Sequence, residues 1–226
     1  CCFSPGCQLR GQKVSMSVSA KPTMSRRMAP RQARSQKTVD QILKATAELL
    51  EELGFEKLST NLICQRAGLT PPALYRYFPN KYAILKELGE LLMDEQNAVL
   101  DDWSGEELSP CRLKAQTEAL LKATVDVTRA QPAGGWIMRS LHASPVLSEV
   151  RLDSHRRTAR VLSDRLRELD PSLDPQQVFE RMRLGIEIGY AIVEMVFDED
   201  QLDEDVVVRR AAGLLAFNMR ETLAGL

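Results

Sequence analysis

The sequence has little of what a metal site, a secreted scaffold or a membrane anchor requires. It contains two histidines, His142 and His155, and its five cysteines show no zinc-ligand spacing. Five is also an odd number, which disfavours a fully disulfide-paired secreted protein. The most hydrophobic stretch, 184–197, is interrupted by Glu187 and Glu194, so no membrane span is predicted. We therefore expect no metal, no cofactor, no membrane partner and a cytoplasmic location.

The signatures of an enzyme are absent as well. The chain has no glycine-rich loop of the kind that binds phosphate, and no Gly-x-Ser-x-Gly turn that presents a nucleophile. The two histidines are widely spaced, and His155 lies in the arginine-rich run Ser154-His155-Arg156-Arg157, where we expect it to be exposed. No catalytic residue is predicted.

The net charge of −1 hides an uneven distribution along the chain. The first 39 residues carry eight basic side chains and no acidic one, residues 40–87 carry six of each, and the remainder carries 16 basic and 25 acidic. A polyanion would therefore be attracted to the N-terminal part and repelled by the C-terminal part. Because Met16, Met24 and Met28 are all possible translation starts, we expect residues 1–35 to be a disordered basic extension.

Helical periodicity is the main pattern that the sequence does contain. From Val39 onward apolar residues recur at three- and four-residue steps, and no alternating strand pattern occurs. Caps, glycines and prolines divide the chain into helices predicted at about 36–53, 60–67, 71–78, 81–103, 110–130, 133–143, 146–169, 174–198 and 203–224. The predicted fold is all-α, with a three-helix head over 36–96 and a larger helical body over 97–226.

The segment between the second and third predicted helices has the residues of a tight turn. Gly68 permits a positive φ, Thr70 can cap the following helix, and Pro71 suits its first position. Two short helices joined in this way form a helix-turn-helix, which we place at about 59–78. The same spacing would also suit an αα-corner in any helical protein.

An aromatic and basic run, Tyr75-Arg76-Tyr77-Phe78-Pro79-Asn80-Lys81, follows this turn. Its phenols and its lysine suit contacts to DNA phosphates, which fix the position of a protein on DNA without specifying sequence. Phe78 is instead expected in the core, since large aromatics dominate small cores. Arginines of the N-terminal extension could reach the adjacent DNA backbone or minor groove.

The head resembles the DNA-binding domain of the TetR family of bacterial regulators in the order and spacing of four segments. These are ILKATAEL at 42–49, Gly54-Phe55 before Ser59-Thr60, ICQRAGLT at 63–70 and LYRYFPNK at 74–81. The resemblance implies a homodimeric transcriptional regulator, expected to be a repressor, that binds a palindromic double-stranded DNA operator. It also implies release from DNA when a small-molecule effector enters the C-terminal domain.

The resemblance further implies which residues contact DNA. Those at the starts of the second and third helices are Thr60, Thr70, Pro71, Pro72 and Ala73, and those that contact phosphates are Tyr75, Tyr77 and Lys81. The family more often has histidine at the position of Tyr77, and a phenol keeps the hydrogen-bonding role.

The tip of the third helix departs from a polar recognition surface. Pro71, Pro72 and Ala73 cannot hydrogen-bond to base edges, although they can touch thymine methyl groups. Polar recognition must then come from Thr60, Asn61, Thr70 or Arg76, or from the shape of the DNA.

The last two predicted helices suit a subunit interface. Apolar residues occur on nearly every side of the chain between Val178 and Phe197, so this helix should be buried on two faces. Gly185 and Gly189 would allow close helix approach. We expect a homodimer through the helices at about 174–198 and 203–224, with a single compact monomer core as the alternative.

An effector pocket is expected where polar or adaptable residues interrupt the apolar helices of the body. The candidates are Met93, Trp136, Arg139, His142, Glu187, Tyr190, Glu194 and Met195. The long fourth helix runs from head to body and is the natural lever between ligand and DNA. A helical interaction protein without sequence-specific DNA binding is the alternative function.

Overall fold

The computed structural model describes residues 33–104 and 111–223, and over these residues the fold is all-α, as predicted. The helices are α1 (Ala33–Lys57), α2 (Thr60–Ala67), α3 (Pro71–Tyr75), α4 (Lys81–Ser104), α5 (Leu113–Ala130), α6 (Gly134–Ser140), α7 (Pro145–Leu169), α8 (Pro175–Asp198) and α9 (Glu204–Leu223). Most of the expected basic extension, residues 1–32, lies outside the described residues, and residues 33–35 form the first turn of α1.

Five predicted helix ends differ from the structure by three or four residues: the start and end of α1, the end of α3, the start of α5 and the end of α6. Two of these differences have local causes. The helix α1 was expected to end at Leu53, and Gly54 does break it, with φ of 75° and ψ of 173°, but helical turns resume as far as Lys57. The helix α3 ends at Tyr75 rather than at residue 78, because Pro79 disfavours helical backbone in the residue before it. The amides of Tyr77 and Phe78 both donate to the Leu74 carbonyl in a closing turn.

The head packs α1, α2, α3 and the start of α4 around an apolar core. Its fully buried side chains include Ile42, Leu50, Ile63, Leu74, Phe78 and Ile84. The burial of Phe78 confirms its predicted place in the core. Removing such large side chains from water supplies most of the stabilisation of a small helical domain.

The helix α6 joins the head to the body. Its buried residues Ile137 and Met138, together with Leu141 just after it, belong to the same continuous core as the head residues. A Cβ atom on Gly89 of α4 would lie 2.6 Å from Cδ2 of Leu141, so a side chain at this position would force the buried Leu141 to shift. A displacement of α6 would therefore displace α4 directly, because the two are in close contact.

Helices α5, α7, α8 and α9 complete the body. Ala159, Leu166, Val178 and Met219 belong to one apolar cluster that these helices form. Gly185 and Gly189, expected to permit close helix approach, both face Leu215 of α9 in the same chain. Added Cβ atoms there would lie 3.9 and 3.8 Å from that leucine.

Candidate nucleic-acid interface and interior cavity

The turn between α2 and α3 is held by local hydrogen bonds. The Ser59 hydroxyl accepts from the amide of Leu62 and caps α2, whose last turn is closed by Gly68 in the left-handed conformation (φ 64°, ψ 34°). The amide of Leu69 donates to the Cys64 carbonyl at 2.9 Å, which satisfies a carbonyl at the helix end. Pro71 then occupies the first turn of α3, where no amide hydrogen is needed.

The candidate DNA-contacting residues divide into an exposed group and a buried group. Eight of the ten lie on one surface around the turn: Asn61, Thr70, Pro71, Pro72, Tyr75 and Arg76 are exposed, and Thr60 and Ala73 are half-buried. The Tyr75 phenol and the Thr60 hydroxyl lie 3.1 Å apart and form a hydrogen bond between the two helices. This pair fixes the position of the exposed phenol relative to the tip of α3.

Tyr77 and Lys81 are placed differently from that surface. Tyr77 is buried, with 6% of its surface exposed, so it packs in the core of the head. The ammonium of Lys81 donates to the carbonyls of Phe55 and Leu58 at 3.2 and 3.1 Å and lies 4.4 Å from the centre of the Phe55 ring. Lys81 thereby ties the start of α4 to the end of α1.

An interior cavity of about 110 Å³ lies between helices of the body. Of the effector-pocket candidates, Met93 and Tyr190 line it. Its other lining residues include the polar Gln96, Asn97, Thr124, Ser154, His155 and Thr158 and the apolar Leu100, Leu120, Leu121, Ile186, Val193 and Leu215. The cavity therefore has an apolar lining with a small number of polar groups, as small-molecule sites do.

The exposure predicted for His155 is wrong, because its ring is 3% exposed and lines this cavity. Its Nδ1 atom lies 3.1 Å from Oε2 of Glu187, and its ring packs edge-on against Tyr190 with centroids 4.6 Å apart. His155 was predicted to be exposed because arginines follow it in the sequence, but Arg156 and Arg157 point to a different face of α7. The informative signal was helical spacing, which puts His155 on the face of Arg151 and Thr158.

The pKa values of His155, Glu187 and Tyr190 are determined by burial and by hydrogen bonding. Burial lowers the pKa of His155 to about 4, so the ring is neutral near pH 7 even beside a carboxylate. For Glu187, burial alone would raise the pKa, but hydrogen bonds from Arg183 and His155 outweigh it and lower the pKa to about 2. Burial also raises the pKa of the Tyr190 phenol well above its usual range.

The remaining effector-pocket candidates do not line this cavity. Glu187 lies behind His155, where it accepts from Arg151 and Arg183 at 2.6 Å each. Arg139 donates to the Asp198 carboxylate and to the Phe197 carbonyl, and its guanidinium lies over the Trp136 ring. The exposed His142 pairs with Glu194 at 2.7 Å, and Met195 is half-buried on α8.

The helices expected at a subunit interface carry exposed apolar side chains. Leu184 of α8 is 56% exposed, and Leu214 and Phe217 of α9 are 66% and 62% exposed. Single exposed leucines are common, but a large aromatic and two leucines on adjacent helices form a surface that water solvates poorly. We call Leu184, Leu214 and Phe217 the α8–α9 face.

A family model described as bacterial regulatory proteins of the tetR family matches residues 42–88, which contain the turn and the surface around it. The head of the chain thus matches the TetR family. It is 36% identical over 67 residues to the tetracycline repressor protein class A from transposon 1721 of Escherichia coli, over 27% of this chain and 31% of that protein. The chain thus matches about a third of the length of this TetR-family relative.

Solved structures of TetR-family proteins match a larger part of the chain. A protein of Syntrophomonas wolfei described as a TetR-family transcriptional regulator matches 84% of this chain and 97% of its own, with a TM-score of 0.65 and 15% identity. A TetR-family transcriptional regulator from Streptomyces coelicolor matches 82% of this chain and 99% of its own, with a TM-score of 0.60 and 21% identity. These likenesses show that the body shares the family fold.

In the part of the chain that the structure describes, no helix is both long and apolar enough to cross a membrane. The described residues also contain no group of three or more histidine, cysteine or carboxylate side chains placed to hold a metal ion.

Proposed function

We propose that the chain is a transcriptional regulator, acting as a repressor, that binds a palindromic DNA operator as a homodimer and is released by a small-molecule effector. The observation that carries the proposal is the exposed surface formed by Thr60, Asn61, Thr70–Ala73, Tyr75 and Arg76 within the family-matched segment. A second helix of a helix-turn-helix that presents its N-terminal residues in this way suits the DNA major groove.

Sequence recognition would combine one long cation with a small apolar tip. Arg76 is exposed at the end of α3 and can donate to the acceptor edge of guanine, whereas Pro71 and Pro72 at the tip can only touch thymine methyl groups. Tyr75 and Thr60 form a hydroxyl pair suited to a phosphate oxygen. Tyr77 and Lys81 are not part of the proposed contact surface, because Tyr77 is buried and the Lys81 ammonium donates to backbone carbonyls.

The proposed homodimer would cover the α8–α9 face. A two-fold axis beside these helices would pair Leu184, Leu214 and Phe217 with their copies in an isologous four-helix interface. Phe217→Ser should leave each chain folded but lower the dimer fraction at micromolar concentration, as measured by sedimentation equilibrium. A monomeric mass for the unmodified chain would contradict the homodimer.

The proposed switch links the cavity to the head through α4. Met93 of α4 lines the cavity, and Gly89 one turn earlier contacts Leu141 beside α6. Two recognition helices must lie about 34–36 Å apart to enter successive major grooves, so a tilt of α4 in each subunit changes DNA affinity. A complete switch requires the ligand to favour one state by about 10⁴-fold.

The decisive experiment is selection of bound DNA from a random library with the full chain. The expected product is a pair of inverted half-sites, which would give the operator, its spacing and the dimer together. Binding to the selected site should weaken steeply between low and moderate salt, since phosphate contacts release counterions. Failure to enrich any sequence would favour a helical interaction protein without sequence-specific DNA binding.

Variants of the exposed surface test the individual roles. Arg76→Ala should weaken binding by about tenfold and relax the preference at one base pair of each half-site. Replacing the thymines under Pro71 and Pro72 with uracil should lower affinity by a smaller factor, because only a methyl contact is lost. Unchanged affinity for uracil-substituted DNA would overturn the thymine-methyl contact.

A further inference from the structure

The cavity is lined by polar and by apolar residues. Among the polar ones, Asn97 accepts from Ser154 and Thr158, and His155, next to Ser154 in the chain, packs against Tyr190 at 4.6 Å between ring centroids. We call Asn97, His155 and Tyr190 the polar end of the cavity. A second cavity of about 50 Å³ shares the lining residues Leu100, Leu120, Gly185, Ile186 and Leu215 and extends the space toward Met182 and Met219. The second cavity is lined mainly by apolar residues, so the space on the far side of the shared residues is more apolar than the polar end.

The hydrogen-bonding state of His155 is determined by its neighbours. The Nδ1 atom faces the carboxylate of Glu187, which already accepts from Arg151 and Arg183. A carboxylate in this setting is an acceptor only, so Nδ1 carries the proton and donates. The Nε2 atom is then an acceptor, and it is buried without a hydrogen-bond partner among the described residues.

The side-chain amide of Asn97 is oriented in the same manner. Its Oδ1 accepts from the hydroxyls of Ser154 and Thr158 at 3.0 and 2.9 Å. Its Nδ2 is consequently a donor, and it is buried with no hydrogen-bond partner in the described residues. The Tyr190 hydroxyl, which can donate or accept, is the third buried polar group there that the described residues leave unpaired.

Three unpaired polar groups at one end of a cavity are costly for the empty protein. Each buried donor or acceptor without a partner destabilises the fold, because it has lost its hydrogen bonds to water and gained none. A guest that satisfies them together recovers that free energy, and this makes the polar end a specificity element. The guest must offer an acceptor to Asn97 and a donor to His155.

We propose that this cavity binds a neutral amphiphile whose hydroxyl or carboxamide head lies among Asn97, His155 and Tyr190 and whose apolar tail points toward Met182 and Met219. The inference rests on the proposed function, in which the body takes an effector. A hydroxyl or a carboxamide supplies both a donor and an acceptor. A carboxylate has no proton for His155, an ammonium has no acceptor for Asn97, and either would bury a charge that no lining residue neutralises.

The approach to the cavity also disfavours an anionic guest. Met93 and Ser154 line both the cavity and an open groove of about 650 Å³ between α4 and α7. The groove presents five carboxylates, Glu87, Glu90, Asp94, Glu149 and Asp153. The same lining contributes two cations, Lys86 and Arg157, so its carboxylates outnumber its cations and a nearby anion is disfavoured.

The test measures binding of four probes of equal chain length to the full chain by calorimetry, in the absence of DNA. The probes are 1-octanol, octanamide, octanoate and octylamine. We expect saturable binding of one alcohol or amide per chain, and at least tenfold weaker binding of the two charged probes. Tightest binding of octanoate, equal binding of all four probes, or binding of none would each overturn the proposal.

Two tyrosine variants locate the head group. Tyr190→Phe should weaken binding of octanol by about three- to tenfold, because it removes one hydrogen bond and leaves the ring in place. Tyr82→Phe, in the head and away from the cavity, is the matched control and should bind octanol as the unmodified chain does. An unchanged affinity in Tyr190→Phe would remove this hydroxyl from the site and overturn the proposed placement.

Failure of this inference and failure of the proposed function are distinguishable. Probe binding is measured without DNA, and operator selection is performed without a probe. If the chain selects an operator but binds none of the four probes, the regulatory function is supported and the neutral amphiphile is ruled out. If the chain binds octanol through Tyr190 but selects no DNA, the regulatory function is ruled out and the ligand class of the cavity is supported.

Discussion

The head and the body of this chain bury different kinds of interior. Among the described residues before Lys81, few buried side chains carry a polar group: Thr46, whose hydroxyl donates to the Ile42 carbonyl of the preceding turn, Cys64 and Tyr77. The body instead buries polar side chains along one face of α7, namely Arg151, Ser154, His155 and Thr158. An apolar core is satisfied by shape alone, whereas a polar interior needs partners. The head is suited to one fixed shape, and the body is suited to exchange hydrogen bonds with a guest.

The largest expected effect comes from emptying the core of the head. Phe78→Ala should lower the free energy of unfolding by about 3–5 kcal/mol, because it removes a fully buried ring and leaves a cavity. Urea denaturation monitored by circular dichroism measures this loss. Leu169→Ala, at a half-exposed position of α7, should change stability by about 0.5 kcal/mol or less. Equal losses in both variants would contradict the description of the head as a tightly packed core.

The interior of the body should respond to acid through His155. The pKa of this ring is lowered to about 4 by burial, against about 6.5 in the unfolded chain. Between these values the unfolded chain binds more protons, so the stability present above about pH 6.5 declines as the pH falls toward 4. The expected loss is about 3 kcal/mol.

Denaturation at a series of pH values checks this decline. His155→Leu should make stability flatter across that range than in the unmodified chain, because the variant has no ring that binds a proton on unfolding. An unchanged slope in His155→Leu would assign the acid sensitivity to other groups.

The junction between the two regions can be tested at Gly89. A Cβ atom there would lie 2.6 Å from Leu141, so Gly89→Ala should destabilise the chain by about 1 kcal/mol or more. Leu141→Ala creates space at the same point, and the double variant should be more stable than the sum of the two single losses indicates. Additive losses would show that α4 and the end of α6 are not in direct contact.

The smallest effects compare one hydroxyl in each region. Thr158→Val removes a buried donor to Asn97 and should lower stability by about 1 kcal/mol. Thr60→Val breaks the exposed pair with Tyr75 and should change stability by about 0.5 kcal/mol or less. Thermal denaturation of both variants under identical conditions resolves the difference. A larger loss in Thr60→Val would reverse the contrast between the two interiors.

Helix boundaries are predictable from the sequence where residues close in the chain determine them. The helix α2 begins at Thr60 and ends at Ala67 as predicted, because Ser59 caps it and Gly68 stops it within a few residues of chain. The helices α4, α7, α8 and α9 were predicted within one residue at each end for similar reasons, since prolines, aspartates or lysines mark their starts. The all-α fold was therefore accessible without coordinates.

The cavity was less accessible because it depends on residues far apart in the chain. His155 lies on α7 and Glu187 lies on α8, 32 residues later in the chain. The burial of His155 becomes evident only when these two helices pack together. Arg139 and His142 were predicted to line the effector pocket because they interrupt apolar helices. Their partners Asp198 and Glu194 hold them away from the cavity. Helical spacing alone does not reveal which of two faces meets another helix.

The hydrogen bonds of Lys81 have a mechanical consequence for the whole head. Since its ammonium holds the carbonyls of Phe55 and Leu58, the end of α1 and the start of α4 cannot rotate independently without breaking both bonds. The 24-residue α4 is about 36 Å long. A rotation of about 5° around its far end would displace the attached head by about 3 Å. That displacement is comparable to the distance between successive base pairs, so a small angular change in the body is enough to shift the head by one step along DNA.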